Sequence, residues 1–291
     1  MLVIGVVVLA GVSAVAAHRR QEDGSRDSKG SPARTHPNVK RSSSASAELP
    51  TTHPQRTLAA ALAPILAQHT GEFAVGVIDR TTGVQAIYHA TERFHTASIV
   101  KADVLAVLLL RHQQAGTALS SSEDDLAEEM IEDSDNDAAN DLWGDAGAAY
   151  GMGLGNETLG LHHTTPGADY YWGLTTTTVA DQLRLLEDLT SPHSPLEAAS
   201  RSTELDLMED VTPDQAWGVS AAATPGSSFA VKNGWLPDPE LWVINSIGVI
   251  QHAGQLLLVA VLSDDQPSEE AGIAQVDALA RAAAEAVTGV S

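Results

Sequence analysis

From residue 99 to 110 the chain reads Ile-Val-Lys-Ala-Asp-Val-Leu-Ala-Val-Leu-Leu-Leu. Wound as a helix, this run is apolar on nearly every face rather than along one stripe, and such a helix is stable only with protein packed all round it. We therefore predict a buried central helix over 98–114, and the rest of the chain must supply its enclosure. With 291 residues, 43% of them hydrophobic, there is enough material for one large domain or two interlocked lobes. Gly (23) and Pro (13) are present at ordinary levels and no period of about 20 to 50 residues recurs, so collagen-like and solenoid architectures are excluded.

Local patterns say what surrounds that helix. Residues 58–66 read as a helix, 73–79 as a strand, Thr81-Thr82-Gly83 as a turn, and 84–90 as the returning strand of a hairpin. Serines 120–122 can cap a further helix whose first turns hold Glu123, Asp124, Asp125, Glu128 and Glu129, where the helix dipole favours acidic groups. Helices are also predicted at 176–189 and 196–209, strands at 228–231, 242–250 and 256–262, and an alanine-rich amphipathic helix at 269–287. Two opening strands, a helical middle and three closing strands imply one antiparallel sheet completed by both ends of the chain. The expected division is a sheet lobe (57–97 and 220–291) and a helical lobe (98–219).

The N-terminal part is different in kind. Residues 1–17 carry no ionisable side chain and Arg19-Arg20 follow at once. This length is at the short end of the roughly 17 to 25 residues of a spanning helix, while Ala14-Val15-Ala16 resembles the small-residue site of a secretory signal. We expect a signal peptide or membrane anchor and hence an extracellular or cell-surface protein, touching membrane only through this segment. Residues 18–56 are rich in Arg, Lys, Ser, Pro and His and poor in apolar side chains, as expected of a disordered linker.

Composition then removes function classes. The formal net charge is −22, and from Arg56 onward 34 acidic residues face 9 basic ones, a field that repels phosphate backbones and excludes nucleic acid as a partner. There is no cysteine, so disulfide frameworks, thiolate zinc sites, iron–sulfur clusters, cysteine nucleophiles and a lipid-modified cysteine are all ruled out for these residues. We expect a monomer without cofactor or metal. Asp133, Asp135 and Asp137 mimic the start of a calcium loop, but Ala138 stands where the sharp turn needs Gly and Gly144 where a bidentate Glu belongs. His162-His163 are adjacent and have no partner at metal-ligand spacing.

The sharpest chemical signal is lysine. Beyond residue 56 only Lys101 and Lys232 exist. Lys101 follows Ser98 by three residues, so on a helix the amine and the hydroxyl share a face. Set among Ile99, Val100, Ala102 and Val104 the amine is desolvated, which lowers its pKa and makes it a usable base for that hydroxyl.

Ser98-Ile99-Val100-Lys101, then Ser134-Asp135-Asn136, then Lys232-Asn233-Gly234 with Trp235 after it, resemble in type and order the S-x-x-K, S-D-N and K-T-G motifs of the serine β-lactamases and penicillin-binding D,D-peptidases. The stretches 75–83, 88–98 and 133–140 add to the likeness, which is greatest to the class A β-lactamases and spans roughly residues 58–290. The resemblance implies an α/β fold with a five-stranded antiparallel sheet flanked by helices and a helical subdomain. It implies an acyl-enzyme formed with a β-lactam or a peptidoglycan-like peptide. Ser98 would be the nucleophile, Lys101 its base, and Ser134 the proton relay to the leaving nitrogen. Lys232 would support Ser134 and lend charge to a substrate carboxylate. Asn136 would orient Lys101 and the substrate amide; Asn233, Gly234 and Trp235 would contact substrate, with the backbone N–H groups of Ser98 and Trp235 as oxyanion donors.

Three departures bear on function. The E-x-x-x-N loop that activates the deacylating water in class A enzymes is missing, and Asp169 is the one carboxylate between Thr158 and Ala180. The span from Ser98 to Ser134 is shorter than in that family. The third motif has Asn233 in place of Thr. Slow deacylation is therefore expected. The other function class is a weak or inactive surface binding module on the same scaffold, which would not need Ser98, Lys101, Ser134, Asn136 and Lys232 together.

Overall fold

The computed structural model describes residues 53–68, 71–237 and 241–289. The apolar segment 1–17 and the linker as far as residue 52 lie outside the described residues. Helix α1 (His53–Leu66) precedes the hairpin of β1 (Glu72–Asp79) and β2 (Gln85–Tyr88). The Asp79 carboxylate accepts hydrogen bonds from the backbone N–H groups of Thr81 and Thr82 and so holds the predicted turn. A two-residue strand β3 (Phe94–His95) and a 3-10 turn (Ala97–Ile99) lead into α2 (Val100–Ala115), in which every residue from Val100 to Leu110 is buried.

The enclosure of α2 follows in chain order: α3 (Ser121–Glu132), α4 (Asn136–Asp145), α5 (Ala148–Leu159), β4 (Thr176–Thr177), α6 (Val179–Thr190) and α7 (Ala198–Glu209). Ser120 and Glu123 form a reciprocal capping box at the start of α3, as the acidic first turn implies. The chain then returns through β5 (Phe229–Pro237), β6 (Trp242–His252), β7 (Gln255–Asp264) and α8 (Glu269–Thr288).

The sheet has the order β2-β1-β7-β6-β5 and is antiparallel throughout. Side chains alternate between its faces. Val75, Val77, Val259 and Val261 pack with Leu279 and Ala283 of α8, whereas Ala74, Ile78, Leu258 and Ala260 pack with the helical lobe around α2. Burial of both faces explains why β7 is a continuous apolar run. The α/β fold, with five antiparallel strands flanked by helices and a helical subdomain, is the one expected.

Some elements differ from the sequence reading. Helices α4 and α5 were not anticipated, because Asn and Asp crowd the first and glycines the second. The Asp135 carboxylate caps α4 by accepting from the N–H of Ala138 at 2.8 Å, so a residue of the calcium-like run has a structural task. In α5, a Cβ on Gly155 would stand 2.5 Å from Val107 of α2, so glycine is what lets the two helices approach. Helix α6 starts at Val179 rather than 176, because Thr176 and Thr177 pair with β3 and Thr178 caps the helix. Helix α1 starts at His53, four residues inside the segment assigned to the linker, and Gln55 Oε1 accepts the Ile87 N–H at 2.6 Å.

Asp103, Asp181, Asp188 and Glu204 are buried carboxyl groups of the helical lobe. Asp103 of α2 is 1% exposed and Glu204 of α7 is fully buried. Burial raises Asp103 to about 7, with Asn156 opposing and Asp181 reinforcing the shift, and it raises Glu204 well above the usual range, with Asp103 adding to it. A folded value above the unfolded one contributes stability that is complete below the ordinary carboxylate pKa and lost as pH rises through the folded value. The melting temperature should therefore fall between pH of about 4 and about 7. Asp103→Asn should flatten that slope, matching the unsubstituted domain at low pH and exceeding it at high pH. The limit for a shift of this size is on the order of 4 kcal/mol. An unchanged slope in thermal melts of the variant would contradict this assignment. A chain beginning at His53 should fold, and one beginning at Leu58 should melt lower by about 1 kcal/mol of lost hydrogen bonding and packing, as read by denaturant titration.

Candidate active site

Ser98 sits in the middle of the 3-10 turn, half-buried, with Lys101 in the first turn of α2 behind it. The residue before it, Ala97, holds φ at +47°, a left-handed conformation disfavoured for a residue with a Cβ. Ser134, at the α3–α4 junction, likewise holds φ at +57°. Strained backbone of this kind persists only where surrounding structure over-determines it. The turn is pressed on by β5: a Cβ at Gly234 would lie 2.6 Å from the Ser98 nitrogen and 2.7 Å from that of Ile99. Gly234 is therefore required for the edge strand to lie against the turn that holds Ser98.

Both lysines are buried beneath the serines, Lys101 at 0% and Lys232 at 1% exposure. Lys101 Nζ donates to the Ser134 carbonyl at 2.6 Å, the Asn136 Oδ1 at 2.9 Å and the Ser134 hydroxyl at 3.2 Å. Lys232 Nζ donates to the same hydroxyl at 3.0 Å. Ser134 Oγ thus lies between two amines. Desolvation lowers Lys101 to about 7, only partly offset by the Asp135 carboxylate. Burial, and next the nearby Lys101, push Lys232 well below the ordinary lysine value.

Above these groups is a cleft of about 570 Å³ whose lining includes Ser98, Ser134, Asn136 and Trp235. Asn233 is not part of its lining. It is 2% exposed, and its amide donates to the Gln215 carbonyl at 2.6 Å and the Trp217 carbonyl at 3.1 Å. The side chain joins β5 to the segment before it through these two carbonyls.

The loop in the position of the missing E-x-x-x-N segment carries the residue that the sequence reading overlooked. Trp172 lies with its ring centroid 4.9 Å from Lys101 Nζ, and its indole N–H donates to Asn140 Oδ1 at 2.9 Å. Asp169 is exposed, and its backbone carbonyl accepts the Trp143 indole N–H at 2.8 Å, anchoring the loop. The loop thus brings an aromatic ring, not a carboxylate, against the buried amine. Asn140 falls within the 133–140 stretch that carried the resemblance, and that was the available signal; nothing in the sequence singled out Trp172 among five tryptophans. The Lys101 amine has Ser134 and Asn136 as its hydrogen-bond partners, and the Ser134 hydroxyl links the two amines while Ser98 lines the cleft above them.

The sequence profile described as the Beta-lactamase enzyme family matches residues 109–287, a span that includes Ser134, Asn136 and Lys232 and begins after Ser98 and Lys101. LppW of Mycobacterium tuberculosis, which carries a lipoprotein name, is 26% identical over 204 residues, 68% of this chain, and the chain spans 64% of that relative's length. The same figures hold for its Mycobacterium bovis counterpart. Among solved structures, the class A β-lactamase from Mycobacterium abscessus superposes with a TM-score of 0.68 at 21% identity, covering 81% of this chain and all of that one. A class A β-lactamase from Bacteroides cellulosilyticus gives 0.70 at 15% identity, covering 82% and 100% of the two chains. These structures share the fold. With the profile spanning more than half of its length, the chain belongs to the beta-lactamase enzyme family.

Proposed function

We propose that the chain is an exported serine hydrolase that works through an acyl-enzyme on Ser98. The observation that carries this reading is the pair of buried amines sharing the Ser134 hydroxyl, with Lys101 brought to about 7. A neutral Lys101 takes the Ser98 proton as Oγ attacks the carbonyl carbon. The proton then passes through Ser134 to the leaving nitrogen, with Lys232 holding that hydroxyl. Asn136 fixes the Lys101 amine. Because β5 is the edge of the sheet, its outward backbone donors are not consumed by a further strand, and the Trp235 N–H can join that of Ser98 at the developing oxyanion. β-Lactams and peptidoglycan-like peptides are amides of the kind the family resemblance implies. Export is supported by the apolar segment 1–17 and by the lipoprotein name of the mycobacterial relatives.

Deacylation needs a base that holds water on the ester. The described residues lining the cleft include no carboxylate, and Trp172 covers one side of Lys101. General-base assistance is worth about 10²- to 10⁴-fold, so hydrolysis of the ester should lag acylation by something of that order.

Intact-mass measurement after exposure to a penicillin should show one acyl group per chain. Peptide mapping should place it on Ser98, and Ser98→Ala should remove it without loss of fold. Adduct that persists in that variant refutes the assignment, and none with any acyl donor favours a binding module. In rapid-quench experiments acylation should rise with pH through about 7, as Lys101 loses its proton, and then level. Lys101→Arg, which stays protonated, should slow it by about 10²-fold or more. Product formation should show a burst of one equivalent before a slow steady state. Rapid turnover without a burst would point to another activator of water, and Asp169→Asn would test the nearest carboxylate in the loop.

A further inference from the structure

The composition of the cleft bears on which acyl donors it accepts. Its lining includes Tyr170, Tyr171, Trp172 and Leu174 of the loop and Trp235 and Leu236 of β5. Tyr170, Tyr171 and Leu174 are 71%, 63% and 43% exposed, three of the most exposed large apolar side chains among the described residues. Apolar surface held open to water at the mouth of a cleft is a feature of binding sites. None of the described lining residues is Lys, Arg, His, Asp or Glu; the polar side chains are Ser98, Ser134, Asn136 and Asn140, with the phenol hydroxyls of Tyr170 and Tyr171.

No cation waits for a carboxylate. Lys232 is buried and bonded to Ser134 Oγ, and Lys101 is enclosed by Ser134, Asn136 and Trp172. Asn233, at the position next to the edge-strand lysine, turns its amide inward to Gln215 and Trp217. A carboxylate entering here would exchange its hydration for hydrogen bonds from neutral donors alone, with no cation among the described lining residues to pair with it. It would also approach a body with 34 acidic and 9 basic residues from Arg56 onward.

We propose that the cleft selects uncharged acyl donors that bear an aromatic or aliphatic group and no carboxylate near the scissile bond. This rests on the acyl-enzyme reading above and departs from it in the donor. Ser98 Oγ bonds to the acyl carbon and its proton goes to Lys101. The bond to the leaving atom breaks with its electron pair, and the leaving group takes a proton through Ser134. Water later cleaves the ester and releases a neutral-bodied acid.

Benzylpenicillin and its methyl ester differ only in the carboxylate and so test the point directly. The second-order rate of Ser98 acylation, followed by intact mass, should favour the ester by about tenfold or more, the size of one lost polar contact. The preference should persist at high salt, where long-range repulsion is screened. Equal rates, or faster reaction of the acid, would overturn the proposal while leaving the acyl-enzyme intact; a preference that vanishes in salt would assign it to net charge and also overturn it. Failure of both compounds, and of p-nitrophenyl acetate, to label Ser98 would remove the acyl-enzyme reading itself. As a second arm, Tyr171→Ala with Leu174→Ala should reduce several-fold the ratio of acylation by p-nitrophenyl phenylacetate to that by p-nitrophenyl acetate. These side chains are exposed, so the variant should fold, and an unchanged ratio would overturn the role of the apolar lining.

Discussion

Eleven consecutive residues of α2 are shut away from water, and for a helix this can hold only if neighbours pack on every side. The sheet covers one side, while α5, α7 and the other helices of the middle segment cover the rest. The same requirement places Lys101 in the first buried turn, where its amine cannot reach solvent. What makes the helix a structural centre therefore also brings the pKa of its lysine down to about 7. Packing and chemistry here are one constraint, because a helix exposed on the Lys101 face would leave that amine protonated at neutral pH.

The second lysine extends the argument. Two ammonium groups sharing one hydroxyl in a desolvated site repel, and this repulsion adds to burial in lowering the pKa of Lys232. The Ser134 hydroxyl accepts a hydrogen bond from each amine. The strained conformations at Ala97 and Ser134 place both hydroxyls at the cleft, and the pressure of β5 on the Ser98 turn through Gly234 keeps the first of them in place.

Much of this was legible in the sequence, for identifiable reasons. The buried helix, the capping box of α3 and the strands of the sheet follow from apolar runs and caps, which are local. The pairing of Lys101 with Asn136 and of Lys232 with Ser134 followed from family likeness rather than spacing. Helices α4 and α5 were hidden because their stability comes from contacts with α2 and α3, which outweigh Asn, Asp and Gly. The direction of Asn233 was illegible: a strand residue faces one side or the other by register, and only the carbonyls of Gln215 and Trp217 show where its amide goes. Trp172 was illegible too, since a loop's path decides what it lays against the amine.

The pairing of Glu72 with Asp264 and of Phe73 with Ser263 has a consequence in time. Strand β1 leaves the ribosome early, yet its central partner β7 comes close to two hundred residues later. Until β7 arrives, the opening hairpin has neither a third strand nor α8 to cover it, and two strands alone are marginal. Contacts this distant in sequence form slowly, after a large loss of chain entropy. The domain therefore stays an open thread through most of its synthesis and closes in a late step. A chain that must pass a narrow channel before folding gains from that delay, and one stopped short of β7 could not hold Ser98, Ser134 and the two lysines together.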